Sequence, residues 1–389
     1  MMRTLPGVAR VPIMVWGAEP DPAAMQQAEH LADLPFAFHH VALMPDTHVG
    51  YGMPIGGVLA AEGRVIPHAV GLDIGCGVRV WKTNVTVEEF MPRRDTILSD
   101  IMRSVPTGFE WHKASQESRT ALFDDVPAVG VLLAEVDKAK KQVGTLGGGN
   151  HFIEVQRDTD GIVWAMVHSG SRNLGKQMAT HYDQLARQRN ASDHDPVPPN
   201  WGLAHLPAEE GLGAEYLRVM DFCLRFARES RRLMGERVQE AFARRVPDAP
   251  APGDPVDVHH NYAAVEEHFG RLVVVHRKGA VRAEGTVAIP GSMGSHTWIG
   301  RGLCNADSFC SCAHGAGRRL GRGEAKRQLT VQHVIGEMRE RDVRLFKAKK
   351  SDVAEEAPEA YKDIDEVMDA QRDLVEPTVL LTPLGVVKG

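Results

Sequence analysis

Cysteine is scarce in this chain and odd in number: five residues in 389, at positions 76, 223, 304, 310 and 312. That count excludes a disulfide framework as the source of stability, so reactive or metal-bound thiols in a reducing compartment are expected instead. Apolar runs fall short of the ~20 residues needed to cross a bilayer. The opening residues Met1–Gly7 lack a signal-peptide core, so a cytoplasmic protein without membrane contact is expected. A basic excess is also missing. The net charge of −6 excludes indiscriminate attraction to nucleic acid but allows a local basic groove. No internal repeat and no long low-complexity linker divides the chain. What is present, 43% hydrophobic and 25% charged residues, is ordinary for a globular protein with a large core.

Residues 35–83 alternate short apolar runs (Val41–Met44, Gly57–Ala60, Val78–Trp81) with Gly, Pro and Asp, the pattern of strands joined by tight loops. Thr86-Val-Glu-Glu89 has capping-box spacing and predicts a helix running to about Val105. Ile162–Val167 and Leu272–His276 read as buried strands. Residues 208–245 read as one long helix or two, with Tyr216, Met220, Leu224 and Ala227 on a stripe that packs into the core. Pro-rich surface loops, Asp195–Gly202 and Pro247–Pro255, flank that segment. Strings that carry chemistry lie on both sides of it, so the expectation is one domain with a helical insertion at about 203–247.

Five strings set His, Cys or Asp among glycines or other polar residues: Asp73-Ile-Gly-Cys76-Gly, Gly147-Gly-Gly-Asn150-His151, His168-Ser-Gly-Ser-Arg172, His259-His260-Asn261-Tyr262 and Cys312-Ala-His314-Gly-Ala-Gly-Arg318. Glycine lets backbone approach an ion or phosphate closely, because it bends without a Cβ clash. A carboxylate and a thiol three residues apart, Asp73 and Cys76, can face one cation, and a thiolate can bridge two. A lone histidine at a strand end is more often structural. Three of them, His151, His168 and His260, each in a polar or Gly-rich loop, favour ligation, and the set suffices for two metals if Cys76 is shared. Thiolate and imidazole favour zinc, whereas carboxylate and open positions allow manganese or iron. A closed structural zinc site would need matched Cys-x2-Cys pairs, which are missing, so Cys304, Cys310 and Cys312 read as small buried residues. His314 is followed by Gly315, Gly317, Arg318, Arg319 and Arg322. It faces a potential anion site as ligand, general acid or nucleophile on phosphorus. Gly170–Gln177 nearly matches a P-loop, but Gln177 lacks the hydroxyl that binds magnesium, so a nucleotide must be held elsewhere.

In order along the chain stand Met44-Pro-Asp-Thr-His48-Val-Gly, Val70-Gly-Leu-Asp73-Ile-Gly-Cys76-Gly, Gly144-Thr-Leu-Gly-Gly-Gly-Asn150-His151-Phe-Ile-Glu154 and His168-Ser-Gly-Ser-Arg172. They are followed by His276-Arg-Lys-Gly-Ala280, Pro290-Gly-Ser292-Met-Gly294, His314-Gly-Ala-Gly-Arg318, Ala360-Tyr361-Lys-Asp-Ile-Asp-Glu-Val367 and Val387-Lys388-Gly389. With this ordered set the chain resembles the RtcB-type RNA ligases over nearly its whole length. Asp-Ile-Gly-Cys-Gly together with His-Gly-Ala-Gly-Arg carries most of the specificity.

The resemblance implies an α+β fold, a single domain of mixed sheets with a central active-site cleft. It implies two Mn²⁺ held by Asp73, Cys76, His151, His168 and His260 with the thiolate bridging, and so favours manganese over zinc. It makes His314 the residue guanylylated by GTP. Asn150, Glu154, Ser292, Gly315, Tyr361 and Lys388 would hold the GMP moiety, with Asn150 also in the catalytic set, and Arg172, Arg318 and Arg322 would hold RNA phosphates. The implied activity joins RNA 3′-phosphate or 2′,3′-cyclic phosphate ends to 5′-hydroxyl ends through an RNA(3′)pp(5′)G end, in tRNA splicing or RNA repair. The partner is then RNA, with or without an activating protein. Two alternatives use much of the same site: capping of RNA or DNA 3′-phosphates with GMP without sealing, and a dinuclear metallo-phosphodiesterase with His314 as general acid.

Overall fold

The apolar runs near the N-terminus form strands: Val41–Met44 lies within Ala37–Tyr51, Gly57–Ala60 within Met53–Ala61 and Val78–Trp81 within Gly77–Thr86. These assignments come from a computed structural model, which describes residues 2–5, 9–246, 253–347 and 350–389. Most of the Pro247–Pro255 segment, expected as a surface loop, therefore lies outside the described residues.

Two large sheets organise the α+β chain. The six-stranded sheet runs Arg3–Leu5, Ile13–Val15, Ala37–Tyr51, Met53–Ala61, Arg271–Lys278, Asn261–His268. The eight-stranded sheet runs Val256–His259, Gly77–Thr86, Ile162–Ser169, Phe152–Arg157, Val375–Lys388, Thr297–Gly302, Thr286–Pro290, with Arg344–Lys347 parallel to Val375–Lys388. Val256 and Val258 from one end of this sheet share an apolar cluster with Ala288 from the other, so the sheet curls almost onto itself. Both sheets mix parallel with antiparallel pairs.

The two sheets share an apolar core, and the chain passes directly from one to the other at a single residue. His259 pairs with Gly77 in the eight-stranded sheet, while Asn261 pairs with Lys278 in the six-stranded one. His260 lies between them, its N–H donating to Cys76 O at 2.8 Å and its carbonyl accepting from Ala280 N at 3.1 Å. The short strand Ala280–Arg282 pairs with Ser311–Ala313, which delivers His314. Strand ends from both sheets thus converge where the sequence strings predicted chemistry.

The helical segment forms a single helix, Gly211–Ala243, of 33 residues. Tyr216, Met220 and Ala227 are buried on it and Leu224 packs beside them. Arg231, fully buried in mid-helix, donates to Gly75 O at 2.9 Å and to Ser169 O at 2.8 Å, and pairs with Asp257 at 2.6 Å. A buried guanidinium is tolerated only when so fully bonded, and here the bonds tie the helix to the turn before Cys76 and to the end of the strand that carries His168.

Two expectations need correction. The Thr86–Glu89 capping box forms, but the helix to Val105 is broken into Val87–Phe90, a 3₁₀ turn Met91–Arg93 and Arg94–Ser104. Pro92 lacks an N–H and disfavours helical backbone at the preceding residue. Cys304 and Cys310 are not two small buried residues: they form a disulfide, and Cys304 is exposed. Left-handed backbone at both (φ 48° and 54°) folds the loop back until their Cα atoms stand 4.0 Å apart, which spacing alone does not reveal. Among the described residues no helix is long and apolar enough to cross a membrane.

Candidate metal centre and nucleotide pocket

The five predicted ligands, scattered from residue 73 to residue 260 in sequence, converge. Cys76 Sγ lies 3.5 Å from His151 Nε2 and 3.3 Å from His168 Nε2. His151 Nε2 is 2.9 Å from Asp73 Oδ2, and His168 Nε2 is 3.3 Å from His260 Nε2. Two ligand groups result, Asp73–Cys76–His151 and Cys76–His168–His260, each with its ligand atoms within 4.8 Å of one another. Cys76 is common to both.

The surroundings set the protonation that ligation needs. His151 Nδ1 and His168 Nδ1 each donate to a backbone carbonyl, Leu146 O at 2.9 Å and Asn150 O at 3.1 Å, which leaves both Nε2 lone pairs facing the centre. Burial pulls His168 and His260 well below the ordinary histidine range, so both are neutral imidazoles. Burial also opposes the Asp73 carboxylate, but hydrogen bonding and charge from His151 hold it below its usual value. Burial and then Asp73 push the Cys76 thiol well above its ordinary value. A carboxylate, a thiol and three imidazole nitrogens thus crowd together at one point. Such a set suits a divalent cation, whose charge would stabilise the thiolate. Gly170 makes the approach feasible, since a Cβ there would come within 2.2 Å of Asp73 Oδ1.

His314 stacks on His260, ring centroids 4.6 Å apart and planes 12° from parallel. Its Nδ1 lies 2.6 Å from the carboxylate Oδ2 of Asp46, which also accepts from His314 N at 3.1 Å. Asp46 is fully buried, and Lys362 Nζ pins the strand on either side of it by donating to Pro45 O at 2.9 Å and Thr47 O at 2.7 Å. Gly317, at φ +70°, passes directly over it: a Cβ there would meet Asp46 O at 2.2 Å. The pair fixes the tautomer, with Nδ1–H toward Asp46 and the Nε2 lone pair free.

Beside His314 lies a cavity lined by Asn150, Glu154, Ser292, Gly315, Tyr361 and Lys388, with Arg318 and Arg322 at its wall. The predicted nucleotide residues therefore share one enclosure, although they come from distant strings. Arg318 stacks on Tyr361, its guanidinium 4.9 Å from the ring centre, and donates to the Tyr361 hydroxyl at 3.0 Å. Arg172 lies outside this cavity. Its Nε donates to Thr145 Oγ1 at 3.0 Å and its Nη2 to Gly108 O at 2.8 Å, bracing the Gly147–Asn150 loop from behind. The P-loop-like string has no cradle, because the helix Arg172–Ser192 begins two residues after Gly170.

Sequence reasoning missed two carboxylates. Asp46 sat in a quoted string without a role; its signal is Asp-x-His beside Pro45. Glu356, one of several acids in the C-terminal part of the sequence, is buried in the pocket, 3.3 Å from both Arg318 Nη1 and Lys388 Nζ. Burial alone would raise its pKa, but Lys388, the Tyr361 hydroxyl, Arg318 and Arg322 hold it down at about 2. Glu154, by contrast, is pushed up to about 8 by burial, because Gln156 and Lys388 compensate only in part. Between the ordinary 4.5 and about 8 the folded protein therefore binds a proton that the unfolded chain has lost, so stability should fall across that window as pH rises. Glu154→Gln should flatten that slope in thermal melts; equal slopes for variant and wild type would contradict the assignment.

The family profile described as "tRNA-splicing ligase RtcB" matches residues 27–134 and 124–389. The chain is 36% identical over 405 residues, 97% of each chain, to the "RNA-splicing ligase RtcB" of Escherichia coli (strain K12). It is 34% identical over 441 residues to the "tRNA-splicing ligase RtcB" of Pyrobaculum aerophilum, covering 94% of this chain and 91% of that one. To the "tRNA-splicing ligase RtcB" of Nanoarchaeum equitans it is 32% identical over 465 residues, 98% and 96% of the two chains.

Proposed function

The chain belongs to the RtcB family, and from that premise we propose that it is a GTP-dependent RNA ligase joining 3′-phosphate or cyclic phosphate ends to 5′-hydroxyl ends. The observation that carries the reading is the Asp46–His314 pair, with its free Nε2 facing a pocket lined by Asn150, Glu154, Ser292, Tyr361 and Lys388. The Nε2 lone pair attacks the α-phosphorus of GTP. A P–N bond forms, the P–O bond to pyrophosphate breaks, and pyrophosphate leaves with the electron pair. An oxygen of the RNA 3′-phosphate then attacks the same phosphorus, releasing His314 and leaving an RNA(3′)pp(5′)G end; a 2′,3′-cyclic phosphate is first hydrolysed to the 3′-phosphate. Finally the 5′-hydroxyl oxygen attacks the RNA 3′-phosphorus, gives up its proton, and displaces GMP to close the phosphodiester.

Asp46 holds His314 in the attacking tautomer and stabilises positive charge on the ring as the P–N bond forms. Asn150, Ser292 and the Gly315 backbone orient the GMP moiety, with Glu154, Tyr361 and Lys388 around the rest of it. Manganese, held by Asp73, Cys76, His151, His168 and His260, would supply a cation that neutralises charge developing on the phosphate oxygens. Arg318 and Arg322, at the pocket wall, would meet RNA phosphate, and Arg172 supports the Asn150 loop behind them. We assign the enzyme to the cytoplasm and to tRNA splicing or RNA repair.

Asp46→Asn should keep the fold but slow guanylylation by a factor on the order of 10²–10⁴, since an amide can donate to Nδ1 and favour the wrong tautomer. Single-turnover labelling with GTP measures this, and an unchanged rate would remove Asp46 from the mechanism. The overall reading is tested by one gel with GTP, Mn²⁺, and a cyclic-phosphate RNA paired with a 5′-hydroxyl RNA. Sealed product supports the ligase, a GMP-capped end without sealing supports capping, and hydrolysis without a protein adduct supports a phosphodiesterase.

A further inference from the structure

The cleft that opens from Asp73, Cys76 and His314, about 1670 Å³ in volume, has a second wall that the reaction above does not use. Tyr51, the last residue of its strand, is 57% exposed there, and Leu72, next to Asp73, is 45% exposed. Neither lines the nucleotide pocket. Tyr51 is held firmly in spite of its exposure. The buried Lys278 donates through Nζ to Tyr51 O at 2.6 Å and to His68 O at 3.0 Å. The His68 ring stands perpendicular to the tyrosine ring at 4.6 Å, and Arg187 Nη2 donates to the Tyr51 hydroxyl at 3.0 Å.

Arg187 is itself anchored. Its Nε lies 2.6 Å from Asp183 Oδ2, and Asp183 Oδ1 lies 2.9 Å from His68 Nδ1. Asp183 and Arg187 stand one turn apart on the helix Arg172–Ser192, on a face that lines the cleft. Gly202 packs beside the ring: a Cβ there would make ordinary van der Waals contact, 3.4 Å from Tyr51 Cε1. The result is a fixed, water-exposed aromatic ring with a half-exposed guanidinium at its hydroxyl edge, continuous with the catalytic centre. An ordered aromatic with an adjacent cation is how proteins hold unpaired bases, by stacking on the ring and pairing the cation with phosphate.

We propose that Tyr51 and Arg187 form an RNA-binding shelf, the ring stacking a base of the single-stranded RNA end presented to the metal centre and Arg187 contacting a neighbouring phosphate. The inference rests on the RNA-ligase reading. The test uses short RNAs with 2-aminopurine at each of the positions nearest the 3′-phosphate or the 5′-hydroxyl, titrated with the full-length enzyme. One position should be quenched on binding to the wild type. Tyr51→Ala should abolish that quench and raise Kd about tenfold, whereas Tyr51→Phe, which keeps the ring, should retain the quench. Arg187→Ala should lower the slope of log Kd against log salt by about 0.7, the loss of one single-strand phosphate contact. The shelf is refuted if Tyr51→Ala binds with the wild-type Kd and quench profile, or if folded Tyr51→Phe loses the quench. If the wild type neither binds nor joins RNA, the ligase reading itself fails; if it joins RNA while Tyr51→Ala is unaffected, only the shelf fails.

Discussion

His314→Ala protein should join no RNA that starts from a 3′-phosphate, a loss on the order of 10⁴-fold or more, yet should still seal a presynthesised RNA(3′)pp(5′)G end to a 5′-hydroxyl. The reason is the division of labour in the site. In the proposed mechanism His314 Nε2 is needed only to carry GMP, and a preactivated end already bears that leaving group. The candidate metal ligands do not depend on His314: His260, on which it stacks, also faces His168 and Cys76. Metal content of the variant should therefore match the wild type. Joining of unactivated ends by His314→Ala would defeat the nucleophile assignment, and failure with the preactivated end would show that the ring has a further role in sealing.

Cys76→Ala should fold, lose at least one of two bound metals, and lose all ligation. Both ligand groups contain Cys76, so a single substitution removes one donor from each. The backbone hydrogen bond from His260 N to Cys76 O does not involve the side chain, so the seam between the sheets should survive. Cys76→Ser should be nearly as inactive, because a serine hydroxyl stays protonated and ligates poorly. Two equivalents of metal on Cys76→Ala would overturn the shared-ligand arrangement.

Much of the site was legible because its residues are marked by glycine and by ordered strings. Asp73, Cys76, His151, His168 and His260 were each visible beside a loop or strand end, and the structure brings their ligand atoms together. What stayed hidden depends on long-range contact. Glu356 looks like any acid in a charged run until the fold sets it against Arg318 and Lys388. Asp46 acquires its meaning only when a residue 268 positions away lays an imidazole against it. The helix after Thr86 was misjudged because its cap was weighed and Pro92 was not. The Cys304–Cys310 pairing depends on left-handed backbone that spacing does not encode. Tyr51 attracts no notice in sequence; its exposure on the cleft wall is a tertiary fact.

The most direct test of the account is to incubate the wild-type protein with α-labelled GTP and Mn²⁺ in the absence of RNA, then map the label. The account predicts one labelled residue, His314, in a bond that is labile in acid and stable in base, as a phosphoramidate on the imidazole should be. Absence of a covalent adduct, or label on any other residue, would contradict it.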